Sequence, residues 1–163
     1  MDYGASKSAA RILLILNLVL YLLVIIISGW AIYHGIDRGR ETASFLSSPS
    51  RIFPIYFPIG NKATGFFAVF SLIAGLVGFI TSLTGVSHVI QWNAPNLQAA
   101  AASSLITWSL TLLAMGLAWK EIHLGSTDSN LRALETIMIL VTGTQLFCIG
   151  AIHAGVEYVY AVP

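Results

Sequence analysis

Apolar residues fall into four long runs, at about residues 12–36, 63–86, 97–119 and 131–155, parted by shorter polar stretches. Each run holds the ~20 apolar positions that carry a helix across the hydrocarbon core of a bilayer. The connection after the second run, Ser87 to Asn96, is short, so the second and third helices are expected to be antiparallel neighbours. The expected fold is an all-α, integral membrane, antiparallel four-helix bundle, one domain over residues 1–163.

Breaks in the runs give each helix its own character. The first carries Asn17, Ser28 and Gly29 and ends near Trp30, Tyr33 and His34, rings that suit the aromatic belt at a membrane interface. Asn17 is expected to bond a neighbouring helix or water. The second follows Asn61, a candidate N-cap, and pairs Ser71 with Gly75 and Ala74 with Gly78. Such small-xxx-small pairs mark close packing between membrane helices. Pro95 suits the start of the third helix, which opens on the small residues Ala99 to Ser104. That helix is expected to lie innermost, with the others against it. Thr127, Asp128 and Ser129 offer caps for the fourth.

The polar segments are expected outside the helices: a lead, Met1 to Ala10, a loop, Lys120 to Asn130, and a tail, Val156 to Pro163. The longest connection, Asp37 to Lys62, has a charged front and a back reading SSPSRIFPIYFPIGNK. Pro49, Pro54 and Pro58 rule out a regular helix there. Its isoleucines and aromatic rings are too apolar for a free linker. The segment reads as an anchor on the membrane interface, in preference to a lid over a substrate path.

Composition agrees with membrane burial: 56% of residues are hydrophobic, 9% are charged, and mean hydropathy is +0.81. A soluble domain carries about 25% charged residues. The net charge of +1, with no Lys/Arg cluster, excludes a nucleic-acid binder. The single cysteine, Cys148, lies within the fourth run and reads as a small core hydrophobe. Lys7 and Arg11 flank the first helix, whereas Arg38, Arg40, Arg51, Lys62, Lys120 and Arg132 lie on the opposite side. The positive-inside rule then makes the first and third loops cytoplasmic and the termini external.

Ionisable groups at membrane depth are costly, which makes each a functional candidate. Glu135 stands three residues after Arg132, a spacing that puts both on one helix face. Two readings stand: an ion pair capping the last helix, which is the commoner arrangement, or a proton-linked carboxylate beside an anion-binding arginine. Gln145 and His153 are eight residues apart and share a face, with Thr142 near it, so Glu135, Thr142, Gln145 and His153 are expected to form a broken polar line inside the bundle. A histidine there can change charge near neutral pH. Ser103, Ser104, Thr107, Ser109 and Thr111 are expected to bond between helices rather than to a substrate.

No nucleophile elbow, phosphate loop, HExxH or paired-cysteine motif occurs, and four scattered histidines make no metal site. Enzyme is therefore the least supported class, and no cofactor or metal is expected.

The stretches TGFFAVFSLIAGLVG (Thr64 to Gly78), AAAASSLITWSLTLLAMGLAWKEI (Ala99 to Ile122) and LRALETIMILVTGTQLFCIGAIHAG (Leu131 to Gly155) resemble the AWPM-19-like family of plant plasma-membrane proteins. The most specific pieces are Ala114 to Ala118, Lys120-Glu121-Ile122 and Ile152-His153-Ala154-Gly155. The proline-aromatic loop and the tail after Gly155 match less well. The resemblance implies a four-helix plasma-membrane protein tied to abscisic acid responses, seed maturation and tolerance of cold or drought. Members are linked to abscisic acid uptake. The family offers no established site motif to carry over.

A carrier for such a weak acid needs an apolar cavity and a cation or donors for the carboxylate. Arg132, Lys120, Gln145 and His153 are the candidates for binding it, with Trp108 and Phe147 as apolar walls. Glu135 or His153 is the candidate for proton coupling. Four helices are few for alternating access, so a homo-oligomer is expected, and the small-residue faces of the second and third helices suit that contact as well as one inside the bundle. The rival readings are a non-transporting tetraspan scaffold that reinforces the membrane and an accessory subunit of a larger transporter.

Overall fold

The computed structural model describes residues 3–45, 62–124 and 129–161. Four helices follow in order: α1 (Tyr3–Phe45), α2 (Lys62–Gln91), α3 (Ala94–Leu124) and α4 (Ser129–Ala161). All four are long and apolar enough to cross a membrane. Among the described residues there is no strand.

Every helix overruns its apolar run. The polar lead belongs to α1 from Tyr3 onward, the front of the long connection continues α1 to Phe45, and the tail extends α4 to Ala161. Apolarity marks where a helix crosses lipid. It does not mark where the helix ends, since alanine, lysine and glutamate in the flanks sustain helix well in water. Asn61 and the proline-aromatic segment lie outside the described residues, as do Thr127 and Asp128.

The turn between α2 and α3 is tighter than expected, with Trp92 and Asn93 alone between the helices. Trp92 closes α2 in the left-handed region, at φ 46°, and its N–H donates to the His88 carbonyl at 3.1 Å. Asn93 caps α3. Its side-chain oxygen accepts from the Asn96 N–H at 3.1 Å and its carbonyl from the Leu97 N–H at 3.0 Å. Pro95 then sits in the first turn, where a missing N–H leaves no bond unmade.

The inward faces explain the packing. On α1 the buried positions include Ala10, Leu14, Asn17, Tyr21, Val24, Ser28 and Ala31; on α3 they include Ala100, Ser104, Thr107, Thr111, Ala114, Ala118 and Glu121. Both sets step alternately by four and three residues, the 3.5-residue repeat of helices that cross at a shallow angle. The helices form a ring in which α1 packs on α2 and α4, and α3 on the same two. Leu14 lies against Gly85 and Tyr21 against Gly78, which makes α1 and α2 antiparallel. Ser6 donates to the Ala151 carbonyl while Asn17 meets Gln145, so α1 and α4 are antiparallel too.

α3 is therefore one corner of four, and not the innermost helix. Ala100, Ala101 and Ser104 turn inward, but Ala99 and Ala102 are exposed. The closest approach is instead between α1 and α2. A Cβ at Gly75 would stand 3.0 Å from Ile25 Cγ1, one at Gly85 2.9 Å from Leu14, and one at Gly78 would collide with the Tyr21 ring. Ser71 and Ala74 are buried on the same helix. The small faces of α2 are thus occupied within the chain, which removes them as the surface for a second copy.

At the end of the bundle near the termini, Trp92 fills the space beside Leu97 and Gly155. A Cβ at Gly155 would come 2.8 Å from the indole, and the Lys7 ammonium lies 5.4 Å from the ring centroid. At the other end, Trp30 stacks on His34 and Trp119 tilts against His123, with both tryptophans exposed as in an interfacial belt. Between the two ends, Ile12, Val19, Ile26, Ile80 and Ile106 face outward. In a membrane this surface meets lipid.

Candidate functional site

Polar side chains inside the ring gather at two levels. The middle level links the helices one to another. The Asn17 amide donates to Gln145 Oε1 at 2.8 Å and its oxygen accepts from the Thr144 hydroxyl at 2.6 Å. Gln145 Nε2 reaches the Ser104 carbonyl at 3.4 Å. The hydroxyls of Thr81 and Thr107 meet at 2.8 Å, and those of Tyr21 and Thr111 at 3.0 Å, the last bond crossing the bundle from α1 to α3. Each of these groups is matched, as buried polar groups must be where no water competes.

The second level lies toward the Trp30 and Trp119 end, beside a small cluster of Ala31, Ala68 and Leu131. Here Glu121 of α3 and Glu135 of α4 are 2% and 5% exposed. The Thr64 hydroxyl of α2 donates to Glu121 Oε1 at 2.5 Å. Glu121 Oε2 and Glu135 Oε1 are buried with no hydrogen-bond partner among the described residues. Arg132 is exposed one turn closer to the bundle end.

The structure brings together part of the line expected on α4. Glu135, Thr142 and Gln145 are buried, but Thr142 bonds only its own helix, at the Met138 carbonyl. His153 turns outward, its Nδ1 against the Ile149 carbonyl, because it falls between the inward positions Ile152 and Gly155. Lys120 and Phe147 are exposed as well, whereas Trp108 is half-buried. Of the α3 hydroxyls, Thr107 and Thr111 bond across helices, Ser104 offers its carbonyl, and Ser103 and Ser109 bond within α3.

Residues 15–155 match the AWPM-19-like family. The chain belongs to that family. The matched region takes in both polar levels, from Asn17 to Gly155. A relative from rice, Oryza sativa subsp. japonica, named membrane protein PM19L, is 40% identical over 153 residues, 93% of this chain and 81% of the relative. No solved structure matches the chain. With four spanning helices, this member of the AWPM-19-like family is a multi-pass membrane protein.

Glu121 is the residue that reading the sequence passed over, taken there as the polar end of the third run. A signal was available. Glu121 continues the steps from Thr111 through Ala114 and Ala118, which sets it on the inward stripe.

Proposed function

We propose that this protein mediates uptake of abscisic acid, a small and largely apolar weak acid, across the plasma membrane of plant cells as part of the stress response. The family likeness supports the ligand. Within the chain, the reading is carried by Glu135 and Arg132, a sheltered carboxyl and an exposed guanidinium one turn apart at one end of the bundle. A carrier of a weak-acid anion requires both kinds of group. The cation attracts the carboxylate of the ligand. The carboxyl takes up a proton, so that ligand and proton enter with no net charge. Import of a bare anion would work against about 2.3 kcal/mol per 100 mV of inside-negative potential.

The rival is a scaffold that stiffens the membrane, and the interhelical hydrogen bonds of the middle level support it, since such bonds hold helices together without passing anything between them. Uptake of labelled abscisic acid into liposomes separates the two. The expected result is saturable uptake, faster with an acidic exterior and lost in Arg132→Ala, with His153→Ala close to wild type. Uptake no faster than in empty liposomes, from protein of intact helical content, would sink the carrier reading.

A further inference from the structure

We propose that Trp92 is a seal across the end of the bundle near the termini, and that lifting its indole opens the interior to water on that side. As the gate of a carrier it rests on the uptake reading; as a seal it stands alone.

The indole lies across the mouth of the ring. It starts from the turn that joins α2 to α3 and reaches both helices of the opposite side. On α4 it takes up the room beside Gly155, where a Cβ would stand 2.8 Å from Cζ2 and 2.9 Å from Cη2. On α1 the Lys7 ammonium lies over it, 5.4 Å from the ring centroid. A side chain rooted in one pair of helices and touching the other pair spans the opening between them. Beneath it, with Leu97 alongside, lie the apolar Leu14, Val89, Ala100 and Ile152, and then the hydrogen bonds around Asn17 and Gln145. Water admitted at this end would compete for those bonds.

Two features show that the chain is built around this ring. Trp92 holds the left-handed conformation just past a helix end, where glycine is the usual residue. A bulky residue stays there only when its surroundings over-determine it. Gly155 is the converse, since any side chain there would take the space of the indole. The strained turn and the bare position on α4 serve one purpose, which is to seat the ring.

The segment over the ring is lightly fastened. A Cβ at Gly4 would have nothing within 4 Å, and Ala5, Ser8 and Ala9 are exposed. Ser6 reaches the Ala151 carbonyl at 3.4 Å, a long bond, and Lys7 meets the indole through its charge. Among the described side chains, the first of α1 to enter the apolar core is Ala10. A stretch with so few buried contacts opens more readily than the core beneath it.

Thiol labelling of the full chain in lipid nanodiscs tests this, with a charged methanethiosulfonate as the probe. Cys148→Ala removes the single native thiol, and Ala100→Cys puts one beneath the indole, at a buried position of the same cluster. Labelling should be slow with Trp92 in place and rise about tenfold in Trp92→Gly, in step with the population of the open form. Glycine suits the left-handed turn, so this variant keeps the backbone and loses only the ring. Lys7→Gln should raise the rate by a smaller factor. Ser71→Cys in the same background is the control. Ser71 is buried about 30 Å along α2 from the turn, and its Oγ has no hydrogen-bond partner to lose among the described residues. Its labelling should be unchanged in Trp92→Gly. Equal labelling of Ala100→Cys with and without the indole would overturn the proposal. A rise at Ser71→Cys as large as at Ala100→Cys would do so too, by making Trp92 general packing. If Ala100→Cys fails to fold, Ala101→Cys in the same cluster carries the measurement. These rates do not depend on transport, so a failed uptake assay leaves the seal standing and removes only the gate.

Discussion

The two polar levels of the bundle solve the same physical problem in opposite ways. Around Asn17, the side chains of Asn17, Thr144 and Gln145 are all hydrogen-bonded, and the partners come from different helices. Around Glu121 and Glu135, two oxygens are buried with no hydrogen-bond partner among the described residues. The first arrangement is complete and gains nothing from a ligand. The second leaves two carboxyl oxygens ready to accept from a donor that the described residues do not supply.

The largest expected effect sharpens this contrast at the middle level. Gly78→Val drives a side chain into the Tyr21 ring and pulls the phenol away from Thr111, which should cost about 3 kcal/mol of stability in a reversible detergent-unfolding titration. Asn17→Leu comes next. It orphans Gln145 Oε1 and frees Thr144 from its interhelical bond, for a loss of about 1–2 kcal/mol. The carboxyl end should behave differently. Glu121→Gln or Glu135→Gln exchanges a costly buried carboxyl for a neutral amide, and stability should move by less than about 1 kcal/mol. A loss as large as that of Asn17→Leu would break the comparison, by showing that the carboxyls serve as structural links. The smallest effect is expected from His153→Ala, within about 0.5 kcal/mol in the same titration, because that ring faces outward. A change greater than 1 kcal/mol there would mean that His153 has a partner beyond its own helix.

Much of this arrangement is legible in the residues alone. Apolar run length dictates four crossings, since the thickness of a bilayer sets a minimum length that chance seldom meets four times over. Asn17 is recognisable as an interhelical link, because an amide within an apolar helix has no other inexpensive place. Glu135 and Gln145 stand out for the same reason. His153 shows the limit of the argument. Its eight-residue spacing from Gln145 suggests a shared face, yet two steps of four drift away from a 3.5-residue repeat, and the ring comes out on the lipid side.

Sequence by itself therefore determined the class of the protein, the number of crossings and the residues that carry polar groups into the membrane. Composition and run length are sums along the chain, and they need no knowledge of neighbours. Which groups meet was decided by the tertiary structure. The small residues of α3 suggested a central helix, but four similar inward stripes close into a ring with no centre to occupy. Glu121 looked like the end of a run until α3 continued to Leu124 and the ring set it beside Thr64. Pairing across helices depends on the register between them. That register comes from the packing of whole faces, Gly78 against Tyr21 and Gly155 against Trp92, and not from any one residue's own chemistry.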